Sequence, residues 1–286
     1  MLERPIYLYG TSAVPEVGDG ALYHYTKFES FLNILDTMTL RSSPLSRMND
    51  LNEADLSGLN WNSDFSLMMS AQDYIRNKCS IISFSQNYEI DSGVQEGSNH
   101  PALWAHYADN ANGVCIVIDK DAFLESNREK LKNKFHRLEN VQYTQLHFPD
   151  DTVVDRQYSS VSELVQLNYK ELFFKKHHDW SNEGEVRFLI ESNEEYLNIK
   201  GTIKHIVLGK LLLSNTKNMN RLISHIISPI NLSYKYITSR TFASISNSQG
   251  GYITEEAFAV IEQHASNMLL DGKRTQKLLN DFIQSE

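Results

Sequence analysis

Cysteine is scarce in this 286-residue chain, and so are proline and glycine: two, six and 13 residues. Two cysteines exclude a disulfide scaffold, and the low proline and glycine counts exclude collagen-like and low-complexity classes. Positive charge is not in excess. Lys+Arg number 27 against 36 Asp+Glu, a formal charge of −9, which excludes coating nucleic acid or anionic membrane through bulk charge and leaves only a local basic groove open. Long apolar runs are missing as well. The longest are about five or six residues, where a membrane-spanning helix needs about 20. No basic start precedes an apolar run, so no signal peptide is expected. Cys79 and Cys115 each sit in an apolar run, the pattern of buried free thiols in a reducing compartment. A cytoplasmic location is the expectation.

What is present suits a soluble globular protein: 41% hydrophobic and 22% charged residues. Pattern and turn residues predict strands over 21–26, 80–85, 113–119, 141–144, 203–209 and 231–238, and a turn passing into an alternating strand over 180–190. They predict helices over 28–40, 64–77, 102–108, 122–134, 160–174 and 216–227. A Ser/Asn/Gly stretch after Thr241 precedes two further helices, 254–270 and 273–282, broken at Asp271-Gly272. Strands and helices mix without strict βαβ alternation. The expected class is therefore α+β, with mixed, mostly antiparallel sheets and flanking helices. The expected division is one α+β domain over 1–240 and a helical tail over 241–286. The tail either packs on that domain or docks a partner or a second copy.

Common cofactor signatures are absent. There is no P-loop, no G-x-G-x-x-G between strand and helix, no H-E-x-x-H, no paired C-x-x-C and no G-x-S-x-G. His177 and His178 beside His100 and His106 lack the spacing of a metal site, and no metal is expected.

Four short stretches carry chemistry-bearing side chains. Leu22-Tyr-His-Tyr25 puts Tyr23 and Tyr25 on one strand face and His24 on the other. Ser83-Phe-Ser85 puts two hydroxyls on one face. Trp104-Ala-His-Tyr107 sets two aromatics at i,i+3 on a short helix, as core packing or as a wall for a flat heterocycle. Trp180-Ser-Asn-Glu183-Gly-Glu185-Val-Arg187 projects Glu183, Glu185 and Arg187 from one face of an extended segment, about 7 Å per step. That row is either a solvated charge ladder or a pair of carboxylates tuned by one guanidinium. Gly184 would permit close approach of backbone or ligand.

The order of these stretches, with Asn49, Asp50, Asn52 and Glu53 between the first two and Ile-Lys-His-Ile-Val-Leu-Gly209 after the last, resembles a large bacterial family labelled as a domain of unknown function. The resemblance spans about Leu22 to Gly209. In that family the position of His24 is often Arg or Lys. The family in turn resembles the ADP-ribosyltransferase fold, which carries a His or Arg, then a serine or tyrosine, then a glutamate of an E-x-E on three separated strands. This resemblance implies NAD as substrate and transfer of ADP-ribose to a macromolecular acceptor, protein or nucleic acid, or hydrolysis of NAD. It implies Glu185 on the ribose 2′-hydroxyl, Glu183 on the acceptor nucleophile, His24 on ribose or phosphate oxygen, and Ser83 and Ser85 bracing the site. Tyr25, Trp104 or Tyr107 would wall the nicotinamide, and Arg41, Arg47 or Arg187 would supply positive charge. A role as a bacterial toxin or phage-defence effector fits the family's company. Two other classes stand beside it. One is a non-catalytic nucleotide- or protein-binding regulator on the same fold. The other is a nucleic-acid-acting enzyme using the basic runs 128–134 and 175–178.

Overall fold

The computed structural model of the chain describes residues 6–8, 20–47, 56, 61, 64–90, 93–145, 158–212, 215, 217–218 and 221–222. The Asn49–Glu53 motif, the 231–238 strand and the 241–286 tail lie outside the described residues, as does most of the 216–227 helix.

The described elements run β1 (Ile6–Leu8), β2 (Ala21–Thr26), α1 (Phe28–Thr37), β3 (Thr39–Arg41), β4 (Ser43–Pro44), α2 (Phe65–Lys78) and β5 (Ser80–Ser85). Next come β6 (Tyr88–Ile90), β7 (Gly93–Gln95), α3 (Pro101–His106), β8 (Val114–Asp119), α4 (Lys120–Ser126), α5 (Arg128–Leu131) and β9 (His136–Asn140). The remainder are β10 (Gln142–Thr144), α6 (Val161–Leu167), α7 (Tyr169–Phe173), β11 (Lys175–His177), β12 (Glu185–Ile190), β13 (Tyr196–Asn198) and β14 (Ile203–Leu208). Eight strands form one sheet in the order β1-β14-β8-β2-β5-β12-β9, with β4 also on β5. Every pairing in it is antiparallel except β1 on β14. The class is α+β. Among the described residues no helix is long and apolar enough to cross a membrane.

Side-chain alternation sorts the sheet into two faces. Leu22, Ile82, Phe84, Ile116, Ile118, Val186 and Phe188 pack with Phe28, Phe31 and Leu35 of α1 and Phe123 of α4. On the opposite face, Tyr23, Tyr25, Cys115 and Val117 lie against Leu103 and Trp104 of α3. Farther along that face, Ile81 and Leu189 lie against Ile75 of α2, Leu164 of α6 and Phe173 of α7. Between these two covered areas stand Ser83, Ser85, Glu185 and Arg187. The helices leave a polar strip in the middle of one face, and the strip is where the site forms.

Several predicted helices are shorter or split. α1 ends at Met38, which adopts a left-handed backbone (φ 52°) before β3 begins. Its N-cap is Lys27, whose side chain makes no capping bond. The 122–134 helix breaks at Asn127, a buried amide that donates to Phe123 O and Asn198 O and accepts from Asn198 N. The 160–174 helix breaks at Asn168 and starts at Ser160, whose side chain caps Glu163 N. Asp64 caps α2 in the same way through Leu67 N. Cys79 and Cys115 are both free and buried. Burial pushes the Cys79 thiol up to about 12, so it stays protonated and non-nucleophilic.

Candidate functional site

β5 and β12 pair over their full length, with Glu185 opposite Ser85 and Arg187 opposite Ser83. On the other side of β5, β2 pairs with it only at Tyr23 and Ser85, although β2 pairs along its whole length with β8. The sheet is therefore parted between β2 and β5. The His24 imidazole spans the gap, its Nδ1 3.2 Å from Ser83 O. A carbonyl can only accept, so Nδ1 carries the proton and Nε2 keeps a lone pair. Burial lowers the His24 pKa, opposed by the Ser83 bond, and the ring is neutral near pH 7.

A cleft of about 260 Å³ opens over this parting, lined among others by Tyr25, Ser83, Tyr107, Trp180, Glu183 and Glu185, with His24 and Ser85 also on its wall. The carboxylate of Glu185 is the most heavily bonded group in it. Oε1 accepts from Ser83 Oγ at 2.7 Å and from Arg187 Nε at 2.8 Å. Oε2 accepts from Arg187 Nη2 at 2.9 Å and from Lys176 Nζ at 3.4 Å. Burial alone would raise its pKa; Arg187, Lys176 and Ser83 outweigh burial and hold it at about 2. Its backbone N–H donates to the Tyr143 hydroxyl at 2.9 Å.

Glu183 is not on the strand. It ends a 3₁₀ segment, His178–Glu183, and Gly184 then turns the chain with φ 52°. That turn, and not the extended ladder, brings Glu183 beside Glu185. A Cβ on Gly184 would meet only Ser85 Oγ at 3.9 Å and His100 Nε2 at 4.0 Å. The glycine is thus required by its left-handed backbone, and the expectation of a close approach is corrected. Glu183 accepts from the Tyr107 hydroxyl at 2.6 Å and from Lys176 Nζ at 2.7 Å. Its own carbonyl accepts from Ser85 Oγ at 3.0 Å.

The sequence-predicted residues divide into those on the cleft wall and those behind it. His24, Tyr25, Ser83, Ser85, Tyr107, Glu183 and Glu185 line the cleft. Trp104 lies behind it, 1% exposed, donating to Ser98 O and meeting Tyr25 edge-to-face at 5.2 Å. Its role is packing. Arg187 is likewise buried, its guanidinium divided between Glu185 and Phe173 O at 2.6 Å. It braces Glu185 and does not present its charge to the cleft. Tyr25 faces the cleft, but its hydroxyl donates to Gly97 O at 2.6 Å.

Two groups escape sequence reasoning. Lys176 reads as part of a surface basic run, yet it is 5% exposed, lies between Glu183 and Glu185, and stands 4.7 Å over the Trp180 ring. Its only signal is its place just after the apolar Leu172-Phe173-Phe174. Lys175 turns inward too, paired with Glu171, so 175–178 presents no basic surface patch. Around the 128–134 run, Arg128 and Lys132 pair with Glu125 and Glu129 on a solvated surface. The second missed group is the Tyr143 hydroxyl. Among the described residues no three His, Cys, Asp or Glu side chains are grouped to hold a metal ion.

Comparison with curated proteins finds no match, and comparison with solved structures finds none either. Residues 103–188, which include Tyr107, Lys176, Trp180, Glu183, Glu185 and Arg187, match the family model described as "Protein of unknown function (DUF2971)", and this segment is thereby similar to a domain family whose function is unknown.

Proposed function

We propose that the cleft binds NAD and cleaves its nicotinamide–ribose bond, passing ADP-ribose to a macromolecular acceptor or to water. One observation carries the reading: His24, Ser83, Glu183 and Glu185 line a single cleft, and Ser83 is hydrogen-bonded to Glu185. His24, Ser83 and Glu185 stand on β2, β5 and β12 in that chain order, the order expected from the resemblance to the ADP-ribosyltransferase fold, and Glu183 joins them from the turn before β12.

The chemistry follows from charge. As the C–N bond breaks, nicotinamide leaves with the bonding pair and positive charge grows at the anomeric carbon, as in glycoside hydrolysis. A carboxylate bonded to the ribose 2′-hydroxyl stabilises that charge more in the transition state than in the ground state. Glu185 Oε2 is the fitting atom, because its 3.4 Å contact with Lys176 is the longest of its bonds and the easiest to exchange. Lys176 already lies closer to Glu183, at 2.7 Å. Glu183 then orients the acceptor and takes its proton as the acceptor's bond to the anomeric carbon forms. Neutral His24 offers a lone pair at Nε2, which suits a ribose hydroxyl and not a phosphate oxygen. Trp180 and Tyr25 take the place of Trp104 as aromatic walls.

The second reading is a binding protein without turnover, and the charge balance favours it. Glu183 and Glu185 are matched by Lys176 and Arg187, which reduces the field available to an oxocarbenium-like centre. Incubation with NAD and whole-cell extract separates the two. The catalytic reading requires free nicotinamide; saturable NAD binding without nicotinamide release assigns the cleft to binding alone.

A further inference from the structure

The mouth of the cleft carries a second set of groups. Arg41 ends β3 and Ser43 starts β4, so the two project to the same side, and Arg47 follows on the 3₁₀ turn Leu45–Arg47. All three line the cleft. Both guanidiniums converge on one carboxylate, with Arg41 Nη1 3.7 Å and Arg47 Nη1 3.6 Å from Glu194 Oε2. The backbone fixes that meeting. Ser42 N donates to Glu195 O at 2.7 Å, and Glu195 N donates to Ser42 Oγ at 2.8 Å. Ser42 in turn is buried against Ser80 Oγ at 2.7 Å. Glu194 is therefore held beside the arginines by its neighbours' main-chain bonds.

We infer that Arg41, Ser43 and Arg47 form a subsite for the phosphate groups of a nucleotide ligand, and that Glu194 occupies the anion position until such a ligand displaces it. The inference rests on the nucleotide reading of the inner cleft and adds which groups hold the phosphates. Three observations point the same way. The cleft, at about 260 Å³, falls below the usual range of about 300–1,000 Å³ for enclosed ligands. A dinucleotide is larger than this open cleft, so one seated on the inner groups would extend along the arginines that line it as well. The inner charges are matched, Glu183 and Glu185 by Lys176 and Arg187, so among the described residues the inner wall offers no spare cation to a phosphate. At the mouth two arginines share one carboxylate, which leaves a surplus positive charge. Both pairs are solvent-exposed and longer than a hydrogen bond, so a phosphate that accepts from two guanidinium forks competes effectively with Glu194.

Calorimetric titration of the full chain with ADP, AMP and inorganic pyrophosphate tests this without requiring turnover. The wild type should bind ADP more tightly than AMP. The double variant Arg41→Gln/Arg47→Gln should lose about tenfold or more in ADP affinity, and Glu194→Gln should gain about threefold or more, as removal of a competing surface charge allows. Pyrophosphate affinity should follow the same two variants. ADP affinity unchanged in both would overturn the subsite while leaving the nucleotide reading intact. Pyrophosphate binding that depends on the arginines, with no added affinity for ADP, would support the anion site and count against a nucleoside in the inner cleft. No binding of ADP, pyrophosphate or NAD would overturn both.

Discussion

Ser83 Oγ donates to Glu185 Oε1 at 2.7 Å, across the β5–β12 pairing. The bond joins the middle strand of the polar strip to the carboxylate that the proposed chemistry uses. Ser83 is exposed in the cleft while Glu185 is 3% exposed, so the serine can be changed with little effect on the core. A hydrogen bond to a charged group contributes about 1.5–3 kcal/mol. Ser83→Ala should lower nicotinamide release about 10- to 100-fold and lower unfolding stability by no more than about the same 1.5–3 kcal/mol, because the Glu185 carboxylate keeps Arg187 and Lys176. Paired kinetics and urea titrations check it.

Lys176 has the opposite profile. It lies buried between Glu183 and Glu185. Removing one partner from a buried charge cluster costs about 3–5 kcal/mol, so Lys176→Met should lower unfolding stability by that order in urea titration. Lys176→Arg, which keeps the charge, should recover part of the loss.

Stability should fall with acid in two windows. His100 is buried and its pKa is lowered from 6.5 to about 4, and His24 is also lowered, in both cases through burial. The unfolded chain therefore binds these protons first, and stability drops as pH falls from about 6.5 toward about 4. Glu185, lowered from 4.5 to about 2, contributes stability that is present above about 4.5 and is lost as pH falls toward about 2. Urea midpoints measured across pH should show both declines. Glu185→Gln should flatten the lower one and His100→Asn should shrink the upper one.

Gly184 tests the turn that sets the two glutamates side by side. With φ 52° and no contact nearer than 3.9 Å for an added Cβ, Gly184→Ala should cost about 1–2 kcal/mol from the left-handed backbone alone. Gly184→Asn should cost less, because asparagine tolerates that region. Thermal melts of the two variants against wild type distinguish this from a steric effect, which would penalise the larger asparagine more.

Much of the sheet was legible in the sequence. Val114–Asp119 and Ser80–Ser85 carry the β-branched and alternating pattern of buried strands, and alternation puts Ser83 with Ser85 and Glu185 with Arg187; that the two rows share one face comes only from the antiparallel pairing of β5 with β12. The remainder depends on tertiary context. β9, His-Arg-Leu-Glu-Asn, is polar and becomes a strand only because β12 pairs with it at the sheet edge. The break of the 122–134 helix needs Asn198, 71 residues away, to satisfy Asn127. Buried Lys176 reads as surface charge until Glu183 and Glu185 are seen on either side of it. The Trp104–Tyr107 pair splits, one ring to the core and one hydroxyl to Glu183, which i,i+3 spacing could not foretell.

The most direct test is nicotinamide release from NAD by purified wild-type protein with whole-cell extract as acceptor source, beside Ser83→Ala and Glu185→Gln variants shown to be folded by circular dichroism. If Glu185 and Ser83 act on NAD as proposed, nicotinamide accumulates with the wild type, more slowly with Ser83→Ala, and almost not at all with Glu185→Gln. No nicotinamide from the wild type, or equal release by folded Glu185→Gln, would contradict that assignment.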